Sequence, residues 1–369
     1  MKITRIELFR VAMPLVYPFR TAFGNDDTIE SVLVRLWSGD AYGWGESAPW
    51  RAPAYSPECA VTQFTISAQF IAPLLLGQEV GSGEQLQQRL AGIKGNHFAK
   101  AAFDLAWWDL HARAAGQPLW KLLGGVKPTV EVGADFGVMD TITELLDSIE
   151  AANERGYQRV KLKFRPGWDL WMIEAVRKSF PSTVFHVDCN SAYSLGDSAM
   201  LRQLDQYNLA MIEQPLSHDD LVDHAALQAQ ITTPVCLDES ITSPAKARKA
   251  IQLQACRWIN IKPGRVGGIT PAVQIHDLAK KAGIPCWIGG MLESAVGASH
   301  CLALATLSNV RYPSDIFPTT RFYKQDLADP PMEHSAPGLF RASAKPGVGA
   351  EPNPEPLARM TLQQAEFKA

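Results

Sequence analysis

Five ionisable residues recur along this chain at almost one interval. Lys163 is followed by Asp188, Glu213, Asp238 and Lys262, at steps of 25, 25, 25 and 24 residues. Each closes an apolar run: Val160-Lys161-Leu162-Lys163, Phe185-His186-Val187-Asp188, Ala210-Met211-Ile212-Glu213, Val235-Cys236-Leu237-Asp238 and Ile259-Asn260-Ile261-Lys262. A single carboxylate after a strand is usually a helix cap or a loop residue. Lysine has no acceptor and makes no such cap. Three carboxylates in phase, flanked by two lysines in phase, therefore point to one shared pocket. Carboxylates sharing a pocket repel unless a cation joins them, and an all-oxygen set favours a hard ion, Mg²⁺ first and Mn²⁺ as the alternative. Such an ion is a Lewis acid for negative charge developing on a substrate oxygen. With lysines on opposite sides of the substrate, the set suits removal of a proton α to a carboxylate. Lys161 is two before Lys163, so both point to one face of a strand. Alone, the pair reads as a solvated edge. Beside the carboxylates, Lys163 reads as a base, and neighbouring cations, Lys161 and Arg265 among them, are expected to leave either reacting lysine partly neutral at pH 7.

Elements must hold these residues at one mouth. From residue 128 onward, strand-like runs at 130–136, 159–164, 184–188, 209–213, 234–238, 258–262, 285–289 and about 310–316 alternate with helical segments such as 141–154 and 244–253. Eight parallel strands predict a TIM-type (β/α)8 barrel, whose active site lies at the strand ends. The eighth run is irregular, because Tyr312-Pro313-Ser314-Asp315 interrupts it. The opening third reads as α+β: strands at 3–14, 31–38 and 41–47 in an antiparallel meander, then helices at 57–76, 83–93 and 97–115. Residues 16–27 between the first two strands read as a long loop of the kind that often serves as a lid. After residue 318 the text is rich in Pro and Gly and is expected to return to the opening domain. The predicted division is 1–127 for a capping domain, 128–317 for the barrel and 318–369 for the returning segment.

Composition excludes several classes. The 369 residues are 46% hydrophobic and 20% charged with a net charge of −3, which suits a soluble globular protein and gives no support to nucleic-acid binding. No apolar run approaches the roughly 20 residues of a membrane span. Six cysteines without a C-x-x-C pair, several in apolar runs, read as reduced core thiols of a cytoplasmic protein.

Together with Asp188-Cys189-Asn190, Ile212-Glu213-Gln214-Pro215, Leu237-Asp238-Glu239-Ser240, Ile261-Lys262-Pro263-Gly264-Arg265 and Gly289-Gly290-Met291-Leu292-Glu293-Ser294, the Lys-x-Lys strand resembles the enolase superfamily. The muconate-lactonizing-like subgroup fits best, and within it the o-succinylbenzoate synthase/N-acylamino acid racemase family. The resemblance spans nearly the whole chain, Gly45-Glu46 included. It implies a modified barrel under an N-terminal cap. It also implies Lys163 as general acid/base supported by Lys161, and Asp188, Glu213 and Asp238 as Mg²⁺ ligands. Asn190 would orient the site, with Lys262 as the lysine on the opposite face. Glu239 is the nearest competitor of Asp238, but on a strand it faces the other way and takes a supporting place. Arg265 resembles the racemase-competent branch and would depress Lys262.

The expected partner is a small carboxylate, bound by a homo-oligomer. The first expectation is dehydration of a cyclohexadiene carboxylate to o-succinylbenzoate in menaquinone synthesis. The rival is racemisation of N-acylated amino acids, followed by a cycloisomerase or acid-sugar dehydratase. A non-catalytic ligand-binding barrel would break at least one of the five positions, and none is broken. Phe19, Trp50 and Tyr55 lie where the cap of this family covers the pocket, and they join Met291 and Glu293 as candidate substrate contacts; Phe19, Trp50, Tyr55, Met291 and Phe322 also read as packing residues. His186 is taken as barrel interior. Asp135 departs from the small polar residue expected there, and a carboxylate at that point would meet the substrate. Ser314-Asp315-Ile316-Phe317 lacks the Asp-x-Asp of dipeptide epimerases.

Overall fold

The computed structural model describes residues 1–20 and 25–369, with the backbone alone for Phe19, Arg20 and Asn25. Strands β1 (Arg5–Arg20), β2 (Asn25–Ser38) and β3 (Ala41–Ser47) form an antiparallel meander. The sheet buries both faces. Ile6, Leu8, Val32, Val34 and Leu36 pack against the helices of the capping domain. Phe9, Val11, Met13, Ile29 and Leu33 pack toward the barrel, with Met291 and Val296. The long loop expected at 16–27 is corrected: β1 continues through Val16 to Arg20 and β2 starts at Asn25. After a register shift beyond Pro14, Phe19 pairs with Asp26 and Arg20 with Asn25. Residues 21–24 of that stretch, and the side chain of Phe19, lie outside the described residues.

The helix His97–Ala114 lies under β3. A Cβ on Gly43 or Gly45 would run into its backbone, at Leu110 and Ala106 or at Ala102 and Ala106 respectively. Both glycines serve close approach, two residues apart on the strand face turned to the helix. The helix is buried almost all round because its other side meets the barrel, where Asp104 accepts a 3.0 Å bond from the Thr270 amide.

The barrel begins after β4 (Thr129–Glu131). Its parallel sheet runs in sequence order through β5 (Ala134–Phe136), β6 (Val160–Lys163), β7 (Phe185–Asp188), β8 (Ile212–Glu213), β9 (Val235–Leu237), β10 (Trp258–Ile261) and β11 (Cys286–Ile288). Val160, Leu162, Phe185, Val187, Ile212, Val235, Leu237, Ile259 and Ile261 belong to the core shared with the surrounding helices. The alternate residues therefore point inward, which separates an apolar floor of Met211, Cys236 and Trp287 from the polar mouth.

The eighth stave is not a regular strand. Residues 309–315 close the ring through single bonds, Cys286 N–H to Asn309 C=O (3.0 Å) and Asp315 N–H to Ile288 C=O (2.9 Å) on one side, and Gly133 N–H to Ser314 C=O (3.1 Å) on the other. Pro313 lacks the donor a continuous ladder needs. The C-terminal residues return: β12 (Leu339–Arg341) pairs with β4, and β13 (Thr361–Lys368) adds antiparallel to β1. All six cysteines are free and buried. Among the described residues no helix is long and apolar enough to cross a membrane.

Candidate active site

Lys163 lies in register with Asp188, and Asp188 with Glu213, on adjacent strands β6, β7 and β8. The repeated interval is thus one β/α unit, which brings the chain back to the same height on the next strand. Asp238 follows the last residue of β9 and Lys262 the last of β10. Two of these ends turn sharply: Asn190 (φ 43°), Ser191 (φ 63°) and Gln214 (φ 38°) adopt left-handed backbone, sparsely populated outside Gly and Asn. The turn at Asn190 folds its side chain back over the strand ends. That at Gln214 lets its Oε1 accept from the Asp238 amide (3.0 Å) and its Nε2 donate to Ser240 Oγ (2.7 Å).

Above the strand ends lies a cavity of about 780 Å³, counting its open mouth. Lys161, Lys163, Asp188, Asn190, Lys262, Asp135, Met291 and Glu293 line it from the barrel, and Trp50 and Tyr55 from the cap. Phe322 lines it too. Glu213, Asp238, Glu239 and Arg265 are buried behind this lining. Lys163 Nζ donates to Asp188 Oδ2 at 2.6 Å and to Asn190 Oδ1 at 2.8 Å. Across the ring Lys262 Nζ is 2.9 Å from Asp238 Oδ2 and 4.8 Å from the centre of the Tyr55 ring. Arg265 pairs with Asp238 and donates to the Tyr55 hydroxyl at 3.1 Å. Trp50 Nε1 donates to the Met291 carbonyl at 3.1 Å, tying the cap to the loop after β11.

Charge around the lysines departs from expectation. Burial lowers Lys262, but Tyr55, Glu213, Glu239 and Asp188 more than offset it and push the ammonium above the ordinary lysine value. Lys161 behaves alike, with burial opposed by Asp135, Asp315, Glu213 and Asp188, and ends well above. The predicted loss of basicity at Lys262 is therefore not what these side chains produce; carboxylates outnumber cations around it, and Arg265 is itself held by Asp238. Burial would raise Glu213, but Lys161 and His186 keep it ionised. Glu239 is pushed up to about 7 by burial and then by Asp188.

Glu239 also corrects the alternation argument. The strand ends at Leu237, so period two no longer applies, and Glu239 Oε1 accepts from Asn190 Nδ2 at 3.1 Å. His186 is wholly buried beneath Asp188, its Nδ1 3.1 Å from the Tyr312 hydroxyl, as an interior residue should be.

Sequence reasoning missed Asp315 as a member of the site. It lines the cavity and pairs with Lys161 and with the buried Arg159. The signal was present, a carboxylate at the end of the eighth unit, but Pro313 disguised the strand. Asn260, whose Nδ2 donates to Glu213 Oε1 at 2.7 Å, was likewise unremarked. It is two before Lys262 on the inward face of β10, and that period was its signal.

The donor set fits a divalent hard cation. Asp188, Glu213 and Asp238 are buried carboxylates, and among the described residues Glu213 Oε2 and Glu239 Oε2 are buried without a hydrogen-bond partner. As placed, the carboxylates turn to Lys163, Arg265 and Lys262, and among the described residues no three ligands stand as a ready-made cage.

Residues 3–124 match the family model for the N-terminal domain of mandelate racemase / muconate lactonizing enzyme, and residues 144–356 the enolase C-terminal domain-like model. An o-succinylbenzoate synthase of Geobacillus kaustophilus is 44% identical over 356 residues, 96% of this chain and 94% of that one. An N-succinylamino acid racemase of Thermus thermophilus is 41% identical over 369 residues, 100% of both chains. The solved structure of an enolase-superfamily member from Listeria innocua superposes with a TM-score of 0.96 at 35% identity, covering 100% of this chain and 99% of that one.

Proposed function

The chain belongs to the enolase superfamily, in its muconate-lactonizing-like subgroup, and on that premise we propose that it removes a proton α to the carboxylate of a small substrate. The leading reaction is o-succinylbenzoate synthesis, the dehydration of a succinyl-hydroxycyclohexadiene carboxylate in menaquinone biosynthesis. The observation that carries the reading is that Lys163 and Lys262 enter one cavity from β6 and from the end of β10, with three carboxylates on the strands between.

Lys163, oriented by Asp188 and Asn190, takes the α proton in its neutral form. In the dehydration it returns a proton to the departing hydroxyl, which leaves as water. Lys262 remains cationic on the other face, where it opposes the negative charge of the enediolate. When bound at Asp188, Glu213 and Asp238, Mg²⁺ (or Mn²⁺) supplies a Lewis acid for the substrate carboxylate and takes up negative charge that otherwise raises Lys262. Lys161, pinned by Asp315, holds a second ammonium on the face of β6 that carries Lys163. Trp50, Tyr55, Met291 and Glu293 shape the wall and exclude water.

A second reading has support in the same geometry. Lysines on both faces suit deprotonation on one side and reprotonation on the other, which is racemisation of an N-acylamino acid. An arginine at the position of Arg265 resembles the racemase-competent branch. We further take the protein to be a cytoplasmic homo-oligomer with its cap at 1–127, its barrel at 128–317 and a returning segment at 318–369.

Proton NMR in D₂O tests the scheme. With Mg²⁺, rapid formation of o-succinylbenzoate is expected, and exchange of the α proton from both enantiomers of an N-succinylamino acid marks the second activity. Chelation should stop both, and Lys163→Ala should lower either by 10²-fold or more. Undiminished turnover in Lys163→Ala would reject the assignment.

A further inference from the structure

Asp135 is the carboxylate that the proposed chemistry leaves without a task. It lines the cavity from β5, the neighbour of the strand that carries Lys163, and is in register with Lys161. Its Oδ2 lies 3.3 Å from Lys161 Nζ. Its Oδ1 is buried and takes no hydrogen bond from the described residues. The Lys161 ammonium is shared between Asp135 Oδ2 and Asp315, so only one of the two Asp135 oxygens is engaged by it. The backbone is held in place as well, since Arg321 Nη2 donates to the Asp135 carbonyl at 2.8 Å. A buried acceptor with spare capacity, fixed at a cavity wall, is costly unless something else donates to it.

We infer that Asp135 determines specificity: its carboxylate accepts a hydrogen bond from a donor on the substrate atom next to the reacting carbon, so the site selects carboxylates that carry an N–H at that position. N-acylated amino acids carry an amide N–H on the atom bonded to the α-carbon, and Asp135 lines the same cavity as Lys163. The inference rests on the reading of the cavity as a proton-abstraction site. It deepens the second, racemase reading, since the cyclohexadiene carboxylate of the synthase reaction carries no N–H. It also separates two roles that a carboxylate can play here. A charge acting only on Lys161 would alter all substrates alike. An acceptor for the substrate alters those with the donor.

The test compares N-succinyl-alanine with its ester isostere, O-succinyl-lactate, which keeps the shape and the α proton but lacks the N–H. Affinity by calorimetry and α-proton exchange in D₂O are measured with Mg²⁺ for the wild type, Asp135→Ala and Asp135→Asn. The wild type should prefer the amide by about tenfold or more, a typical loss when a buried charged acceptor goes unpaired. Asp135→Ala should bring the two substrates to near parity, and Asp135→Asn, which retains an acceptor oxygen, should keep most of the preference. An amide-to-ester ratio unchanged in Asp135→Ala would overturn the inference. General damage to the variant would lower both substrates and leave their ratio intact. If neither compound exchanges a proton in any protein, the racemase reading fails, while the binding ratios still decide for or against Asp135.

Discussion

Glu293 shows how much a single buried acid can ask of this fold. It sits in the cavity wall with Oε2 accepting from the Met291 amide at 2.8 Å. Burial, with Glu46 nearby, raises it from 4.5 to about 7, against two backbone donors and Lys262. Below 4.5 both folded and unfolded chains hold this proton. Between 4.5 and 7 the unfolded chain releases it while the folded one keeps it, so stability falls as pH rises, and above 7 the full cost is present. A shift of this size is worth about 3 kcal/mol. Glu293→Gln should therefore gain stability relative to wild type by roughly that amount between pH 5 and pH 8. Urea unfolding at the two pH values measures it, and an equal gap at both would contradict the assignment. At this scale the sequence was most informative where residue types were chemically unusual. Lys163, Asp188, Glu213, Asp238 and Lys262 are charges closing apolar runs, which few structural roles explain. Glu239 was misread because alternation holds only while the strand lasts. Trp50 and Tyr55 could not be separated from packing residues, since a cavity wall and a core favour the same aromatic types.

Elements were legible wherever periodicity was sustained. The helix expected at 97–115 is found at His97–Ala114, and the second barrel strand expected at 159–164 at Val160–Lys163. The run read as one helix at 57–76 is a helix from Ala60 interrupted by a π-helical stretch at Ser67–Ile71 and ending at Leu75; apolar spacing does not reveal such a bulge. The stretch 16–27 was read as a loop because Pro18 and Gly24 break the pattern, yet β1 holds to Arg20 by pairing across the hairpin. Neither Gly43 nor Gly45 shows in sequence why it is glycine. In the structure the Gly45 Cβ position is occupied by helix backbone, which cannot give way as a side chain would. Gly45→Ala should cost about 1–3 kcal/mol or more, whereas Gly92→Ala, at a position with open space around it, should fall within about 0.5 kcal/mol of wild type. Denaturation midpoints of the two variants measure the contrast, and equal midpoints would mean the helix moves freely.

At the scale of the whole molecule, the last strand acts as a cover. β13 pairs with β1 from Arg5 to Val11, and β1 has β2 on its other side. Without β13, that length of β1 would present unpaired N–H and C=O groups, which recruit other strands. Deleting 361–369 should lower the melting temperature and produce concentration-dependent association, seen by light scattering. A deletion variant that stays dispersed at the wild-type melting temperature would refute this. The return of the tail was foreseen only as a tendency, because a register between the two ends of the chain leaves no local pattern.

The cap and the barrel are joined at the pocket by side chains that belong to one and bind the other. Glu46, at the end of β3, accepts from the Ser294 and Gly297 amides (both 3.0 Å) and so caps the helix Ala295–Ala305 across the interface. Trp50 holds the Met291 carbonyl, 241 residues away in the chain. The cavity wall is therefore the property of neither module. A cap transplanted from a relative would bring half a pocket and half a helix cap, so chimaeras should fail at this seam unless 46–55 and 289–297 are exchanged together. In lineages that change substrate, those two stretches have to drift as a pair.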